Sequence, residues 1–378
     1  MMTNDEMSHI ATQVLNHQLT GSPNSLDNAF RVYAHIEEGY LDFVPMLPAV
    51  DILGDLTSES ELAKKARNAL ASAFFPYFSF FPTPPYLVAE NTDSFSTARG
   101  LRFFFSVGQA ERMVFDHLSD YEPIRYKDGY LLPMQSGFGH KIGSGIVISP
   151  TESANLLIAG RSGSGKTITL LGLLELASKY GEKSLMTVID GKNDSNLRKY
   201  CQRKSINYIA QNGEETATIF LSRVNETLKK YEDLILRRAK RLAHGEVTLD
   251  ELPYATLVVD ESLAFLETAP RGDREKFLSL QSRLVLLNRA EKCQYIVSSQ
   301  NFTGGTNGNI STVARDNFQN VILLTQDLKR DGRFIYHNSD LSSVMIPRDS
   351  ISNKGVGVIQ TNGGFVTPFL APYFRSLD

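Results

Sequence analysis

The chain has 378 residues, enough for about two to three domains at roughly 150 residues each, and 42% are hydrophobic and 21% charged. This ordinary globular composition argues against a wholly disordered, collagen-like or coiled-coil protein. Lysine and arginine total 39 against 42 acidic residues, a net charge of −3, so any nucleic-acid contact must come from local basic patches. Two cysteines and seven scattered histidines give neither a disulfide framework nor a zinc-ligand spacing.

No targeting or membrane-spanning segment is expected from the sequence. The first residues are polar and acidic, unlike those of a signal peptide. The most apolar window, residues 71–89, contains four prolines and is too short and broken for a transmembrane helix of ~20 residues. We therefore expect a cytoplasmic protein, which only a partner would recruit to a membrane.

Residues 1–145 are expected to form a smaller domain of mixed helices and strands, without an evident role. Nine of the 22 phenylalanines lie between Phe74 and Phe105. Because aromatic side chains mostly pack inside, they indicate the core of this domain, an exposed docking surface for a partner being the alternative. Short apolar runs separated by glycine turns over residues 121–150 predict strands.

Residues 146–378 alternate between apolar strand patterns and helical patterns. Such an alternation predicts an α/β fold with a mostly parallel sheet covered by helices on both faces. The expected strands are 154–159, 184–190, 255–260, 294–299 and 320–325, followed by VGVIQT and FVTPFL near the end of the chain, and the expected helices are 165–179, 214–243 and 272–290.

A glycine-rich segment between an expected strand and an expected helix matches the phosphate-loop pattern GxxxxGK[ST] in full. Its glycines allow the backbone N–H groups to turn inward and form an anion site at a helix N-terminus. We expect ATP phosphates to bind here, with the lysine reaching the β- and γ-phosphates and the threonine hydroxyl ligating Mg²⁺. The residues are Gly160, Arg161, Ser162, Gly163, Ser164, Gly165, Lys166 and Thr167.

Two carboxylates end the apolar segment TLVVDE at residues 256–261. At the tip of a strand, Asp260 is expected to hold Mg²⁺, and Glu261 to polarise the attacking water as a general base. Alone, such a pair would be read as solvated acids at a strand end. The phosphate loop upstream makes a nucleotide-hydrolysing site the better interpretation.

Two further polar residues lie where a catalytic role is expected. Gln300 ends the apolar strand QYIVSSQ, where a glutamine can sense the γ-phosphate or orient water. Arg289 lies just before that strand and could act on the nucleotide of a neighbouring subunit as an arginine finger. The alternatives are a surface glutamine and an ordinary arginine at a helix end.

Taken together, several segments resemble the FtsK/SpoIIIE branch of the HerA–FtsK ATPases. Asp190-Gly191-Lys192 stands where that family has aspartate-proline-lysine, and Asn288-Arg289-Ala290 where it has glycine-arginine-alanine. The segments follow the family's order over residues 155–375. They are NLLIAGRSGSGKT (155–167), TVIDGKN (187–193), LPYATLVVDE (252–261), NRAEKCQYIVSSQ (288–300), ARDNFQNVILLT (314–325) and GVGVIQT (355–361).

This resemblance implies a RecA-like P-loop NTPase motor domain that uses ATP and Mg²⁺. It also implies assembly as a homo-hexamer, either by itself or only in the presence of DNA. It further implies that Arg289 acts in trans as the finger and that Gln300 is the sensor glutamine. The branch includes the coupling proteins of conjugative elements, so the implied partners are DNA of either strand form, a relaxase and a membrane channel protein. Two departures are the SLAFLE segment after Glu261 and residues 1–145, which match nothing in the family.

Contact with DNA would come from loops in the pore of such a ring. Residues 266–276 carry three basic side chains, and residues 300–312 are rich in glycine and asparagine and would offer backbone amides instead. Plain surface loops are the alternative for both. The basic run at 229–241 is better explained as a solvated helix face.

The sequence therefore favours an ATP-dependent DNA translocase that moves plasmid or mobile-element DNA. Two other functions stay open. One is a protein-secretion or assembly ATPase of the same superfamily, which the acidic balance and the weakly basic pore loops suit. The other is a nucleotide-gated adaptor that binds partners without moving anything.

Overall fold

The structure is a computed structural model. It describes residues 2–20, 30–45, 61–74, 78–80, 85–91, 97–107, 112–122, 124–126, 129–132, 146–148, 155–288, 291–300, 309–336, 351–361 and 366–378, with the single positions 341, 344 and 346. Among these residues, no helix is long and apolar enough to cross a membrane.

The chain divides into two compact units. The smaller is built mainly from Met1–Glu111, and the larger from Arg112–Gln135, Gly145–Ser339 and Ile346–Asp378. The larger unit thus includes Arg112–Gln135, which the sequence pattern placed in the first domain. The reason is a long-range pairing: strand Val114–His117 lies parallel to a strand near the end of the chain.

The smaller unit combines two helices with an antiparallel sheet. Strand β2 pairs with β1 and β5, and β5 also pairs with β3 and β4. Helices α1 and α2 pack on each other, and both contribute to one apolar core with the sheet. The elements are α1 (Asn4–Thr20), β1 (Phe30–His35), β2 (Tyr40–Pro45), α2 (Glu61–Phe74), β3 (Phe78–Phe80), β4 (Tyr86–Asn91) and β5 (Thr97–Val107).

The phenylalanine-rich stretch supplies much of this core, as the sequence predicted. The rings of Phe74, Phe78 and Phe105 are buried, and those of Phe78 and Phe105 meet edge to face with their centroids 5.4 Å apart. Three other phenylalanines of the stretch fall outside the described residues. They are Phe75, Phe81 and Phe95.

The larger unit contains the remaining elements. Its strands are β6 (Val114–His117), β7 (Ile124–Tyr126), β8 (Gly129–Leu132), β9 (Ile146–Ile148), β10 (Asn155–Gly160), β11 (Met186–Asp190), β12 (Asn207–Ala210), β13 (Ala255–Asp260), β14 (Cys293–Ser299), β15 (Asn320–Leu324), β16 (Val356–Thr361), β17 (Val366–Leu370) and β18 (Tyr373–Ser376). Its α-helices are α3 (Lys166–Tyr180), α4 (Ser195–Lys204), α5 (Ala217–Ala243), α6 (Leu263–Leu266), α7 (Arg271–Leu287), α8 (Thr312–Asp316) and α9 (Leu328–Asp331).

An eight-stranded sheet forms the centre of this unit, in the order β12-β11-β13-β14-β10-β15-β16-β17. All neighbours from β12 to β15 are parallel, whereas β16 and β17 are antiparallel additions. The short strands β7, β8 and β9 make a separate antiparallel sheet. The predicted α/β fold with a mostly parallel sheet is confirmed.

Helices cover both faces of the large sheet. On one face, Leu156 and Ile158 of β10 pack in a core shared with α3 and α4. On the opposite face, the side chain of Asn155 donates to the backbone oxygen of Val285 in α7, and the Tyr231 hydroxyl of α5 donates to backbone oxygens of β13 and β14. Strands buried on both faces need continuous apolar runs, which is the pattern that the sequence shows.

Candidate active site

The sheet order brings the predicted site residues to one edge. Strands β10, β14 and β13 are parallel neighbours, so their carboxyl ends lie side by side. The phosphate loop follows β10, Gln300 follows β14, and Asp260 ends β13. In open parallel sheets this edge is where ligands bind.

The phosphate loop has the backbone conformation that its glycines permit. Gly163 and Gly165 have φ angles of 78° and 101°, values that residues with a side chain rarely adopt. Gly165 also lies against the start of β16, since a Cβ on it would come within 2.7 Å of the Gly355 nitrogen. The Gly355 N–H donates to the Ser164 carbonyl at 2.6 Å, and this bond joins the phosphate loop to the residue that precedes β16.

Lys166 is buried at the first turn of α3 and turns back over the loop. Its ammonium donates to the carbonyl oxygens of Gly160 at 2.7 Å and Arg161 at 3.1 Å. The pKa of Lys166 is lowered, chiefly because burial disfavours its charged form, and the nearby carboxylates of Glu261 and Asp260 oppose part of this effect. The structure therefore places this ammonium within electrostatic reach of both acids.

The residues of the loop fit a phosphate group. Within the described part of the chain, the buried Oγ of Ser164 has no hydrogen-bond partner, an unmet demand that a ligand oxygen would satisfy. Thr167 is half-buried in the first turn of α3, whereas Arg161, Ser162 and Gly163 are exposed. The exposed guanidinium of Arg161 forms an ion pair with Asp331 at 3.1 Å.

Asp260 and Glu261 are both buried at the end of β13. Burial raises the pKa of Asp260 to about 7, and the neighbouring carboxylates of Asp190 and Glu261 add to this effect. Repulsion from the two neighbouring carboxylates disfavours ionisation of Asp260, and a bound cation would offset that repulsion. Together with the hydroxyl of Thr167, Asp260 supplies the hard oxygen donors that Mg²⁺ prefers.

Glu261 is held by its backbone and its side chain. Its φ angle is 51°, and its N–H donates to the Ser298 carbonyl at 2.7 Å. Its carboxylate accepts three hydrogen bonds, from Lys192 Nζ at 3.0 Å, Ser299 Oγ at 3.1 Å and the Gln300 backbone N–H at 3.3 Å. The three donors thus come from the end of β14, the residue after it and the turn after β11, the two strands that neighbour β13.

The turn after β11 is organised by the buried carboxylate of Asp190. It accepts the backbone N–H groups of Lys192, Asn193 and Asp194 at 2.7–2.9 Å, and the hydroxyl of Tyr208 at 2.8 Å. In the same turn, the Gly191 N–H donates to the carbonyl of Asp260 at 2.9 Å. Asp190 therefore orients the turn that carries Lys192 towards Glu261.

The structure brings together most, but not all, of the residues that the sequence singled out. Lys166, Asp260 and Glu261 share one site, and Gln300 touches Glu261 through its backbone. Arg289 lies outside the described residues, as do residues 301–308 of the second expected pore loop.

The other basic segments differ from the expectation in one case. The basic residues of the expected loop 266–276 lie in the first turns of helix α7, which begins directly after Pro270. The run at 229–241 lies within α5, where exposed Lys230 pairs with Glu226 at 2.8 Å.

The sequence did not predict the two side chains that donate hydrogen bonds to the Glu261 carboxylate, Lys192 and Ser299. Lys192 is indicated only by the family resemblance, and no sequence pattern indicates Ser299. The available signal was their position directly after β11 and at the end of β14, two strands that lie on either side of β13. Polar residues at the carboxyl ends of adjacent parallel strands meet, so the strand order would have identified them.

Comparison with known proteins gives a match only in structure. No protein-family model and no curated protein matches the chain. The solved structure of the pCW3 conjugation coupling protein TcpA, in a monomer form with ATPγS, is 16% identical. The structural match covers 98% of this chain and 96% of the coupling protein's chain, with a TM-score of 0.53.

Two other ATPase structures are more distantly similar. EssC (ATPases 2 and 3) from Geobacillus thermodenitrificans is 14% identical over 71% of this chain and 47% of its own, with a TM-score of 0.45. The cytoplasmic domain of the Type VII secretion ATPase EccC from Thermomonospora curvata is 16% identical over 61% of this chain and 27% of its own, with a TM-score of 0.41. The likeness to the coupling protein shows the fold, and it confirms the predicted RecA-like P-loop NTPase fold.

Proposed function

We propose that this chain is an ATP-driven motor that moves plasmid or mobile-element DNA, as a coupling protein does in conjugation. The observation that carries the proposal is the likeness to a conjugation coupling protein over 98% of this chain and 96% of the other. That likeness extends beyond the P-loop domain, which alone is shared by motors of many kinds. The phosphate loop, the acid pair and the ordered motifs of the sequence support the same interpretation.

The site offers each group that ATP hydrolysis needs. The loop at residues 160–167 would hold the phosphates, with Lys166 released from its carbonyl partners to pair with them. Thr167 and Asp260 would hold Mg²⁺, which when bound neutralises charge on the phosphates. Glu261 would accept the proton of the attacking water.

The proposed motor acts as a ring of six copies, formed on DNA. In it Arg289 would reach the nucleotide of a neighbouring copy, and Gln300 would relay hydrolysis to the loop that follows it. DNA would be contacted by that loop and by the basic start of α7. A relaxase and a membrane channel protein are the partners that such a role requires.

Steady-state Mg-ATP hydrolysis tests the proposal, measured without DNA, with single-stranded DNA and with duplex DNA. We expect at least one DNA form to increase turnover several-fold and Lys166→Ala to abolish it. Glu261→Gln should retain nucleotide binding and lose hydrolysis, because an amide cannot accept the proton. The preferred strand form then identifies the substrate.

ATP hydrolysis, transfer activity in cells and DNA binding together separate the competing functions. Turnover that ignores every DNA form contradicts a DNA motor and leaves a motor acting on protein. A Glu261→Gln variant that retains full transfer activity in cells would contradict any motor and support a nucleotide-gated adaptor. DNA binding should also weaken steeply with salt, because phosphate contacts release counterions.

A further inference from the structure

The proposed general base is not free in this structure. Three hydrogen bonds take three of the roughly four acceptor positions of the Glu261 carboxylate, two on Oε1 and one on Oε2, and these are the positions with which it would accept a proton from water. Of the three donors, Lys192 is the charged one, and its ammonium nitrogen lies 3.0 Å from Oε2. An ammonium at this distance from a buried carboxylate is the strongest of these restraints.

The two members of this ion pair differ in how deeply they lie. The Glu261 side chain is 5% exposed, whereas that of Lys192 is 44% exposed. Lys192 can therefore swing away into solvent without unpacking the core, while its backbone stays fixed by Asp190. The pair has a fixed acceptor and a movable donor.

The second oxygen of Glu261 is tied to the segment that follows β14. Asn309 Nδ2 donates to Ser299 Oγ at 2.6 Å, which leaves the Ser299 proton for Glu261 Oε1. Both Ser299 and Asn309 are buried. This bond orients one oxygen and leaves the oxygen held by Lys192 as the one to be released.

We propose that Lys192 is a positioning residue that holds Glu261 away from the attacking water, so that each turnover requires this ion pair to open. The inference rests on the proposed hydrolytic role of Glu261. In this account Lys192 slows the unstimulated motor and takes no part in binding ATP. Removing its charge should raise the basal turnover number and leave the KM for Mg-ATP unchanged.

The test compares Lys192→Met and Lys192→Arg with the wild-type chain, without DNA. Lys199→Met is the matched control, because Lys199 is exposed on α4. We expect Lys192→Met to raise basal kcat several-fold with KM within twofold. Lys192→Arg should restore the wild-type rate by restoring the charge, and Lys199→Met should not differ from wild type.

A readout without ATP tests the pair itself. In nucleotide-free protein, the Tm shift of Lys192→Met combined with Glu261→Gln should differ from the sum of the two single shifts, because the residues interact. A basal kcat of Lys192→Met at or below the wild-type value overturns the proposal, and so do additive Tm shifts. Failure of the proposed DNA motor shows differently, as turnover of the wild-type chain that ignores DNA.

Discussion

The backbone of Gly191 lies directly against that of Glu261. A Cβ on Gly191 would come within 2.4 Å of the Glu261 carbonyl oxygen and within 3.0 Å of the Phe265 ring. The turn after β11 and the turn after β13 are therefore packed without space between them. The position of the proposed general base depends on the absence of a side chain at residue 191.

Gly191→Ala should displace Glu261 and reduce kcat roughly ten- to a hundredfold, because small displacements of a catalytic group cost about that much. ATP affinity should change little, since the phosphate loop lies on another strand. Steady-state kinetics with a binding assay measure both. Gly213→Ala is the control, because its Cβ would meet nothing within 4 Å. A normal kcat for Gly191→Ala would show that the turn can yield.

Gly165→Ala should abolish nucleotide binding and lower the unfolding midpoint. The residue has a φ of 101°, and its Cβ would lie 2.7 Å from the Gly355 nitrogen, so both strain and a backbone clash arise. Gly163→Ala carries only the strain, of about 1–3 kcal/mol, since its Cβ meets nothing within 4 Å. Binding of a fluorescent ATP analogue and thermal unfolding distinguish them. Equal affinities for the two variants would contradict the contact with Gly355.

Glu232→Ala should lower the unfolding midpoint by several degrees. This buried carboxylate on α5 pairs with Arg283 of α7 at 2.8 Å and with Lys229 at 2.8 Å, so its loss removes an ion pair that joins two helices, while Lys229 retains Asp233 at 3.2 Å. Glu226→Ala on the same helix removes only an exposed pair with Lys230 and should have no measurable effect. Equal midpoints for the two variants would contradict a structural role for Glu232.

The two cysteines should resist alkylation in the native protein. Burial raises the pKa of Cys201 to about 12 and that of Cys293 to about 11. At pH 8 both thiols would therefore be almost entirely protonated, whereas an unperturbed thiol is partly ionised. Iodoacetamide labelling followed by mass spectrometry should be slow in buffer and fast in denaturant. Rapid labelling of the native protein would contradict their burial.

Local patterns predicted the parts of this fold that rest on local physics. The phosphate loop is defined by spacing and by glycine conformation, and both are visible in eight residues. Helix α5 is predicted by sequence because apolar residues recur at every third or fourth position along it, and this apolar stripe is buried in the structure. That stripe consists of Phe220, Val224, Leu228, Tyr231 and Ile235.

Two other elements, helix α4 and strand β12, were not predicted because their sequences carry little apolar signal. Helix α4 buries only three side chains, and β12 is an edge strand whose residues are exposed or half-buried, so neither shows a clear period. The pairing of Val114–His117 with Tyr373–Ser376 joins distant parts of the chain. The ion pair between Lys192 and Glu261 depends on β11 and β13 being neighbours in the sheet, which no local sequence pattern encodes.

Movement along DNA is the central claim, and displacement of streptavidin from biotinylated DNA ends tests it most directly. Wild-type protein with Mg-ATP should clear streptavidin from the end of single-stranded or duplex DNA, and Glu261→Gln should not. Clearance should stop when ATP is replaced by ATPγS. Streptavidin that stays bound on both DNA forms while ATP is hydrolysed would contradict the proposal that this chain moves DNA.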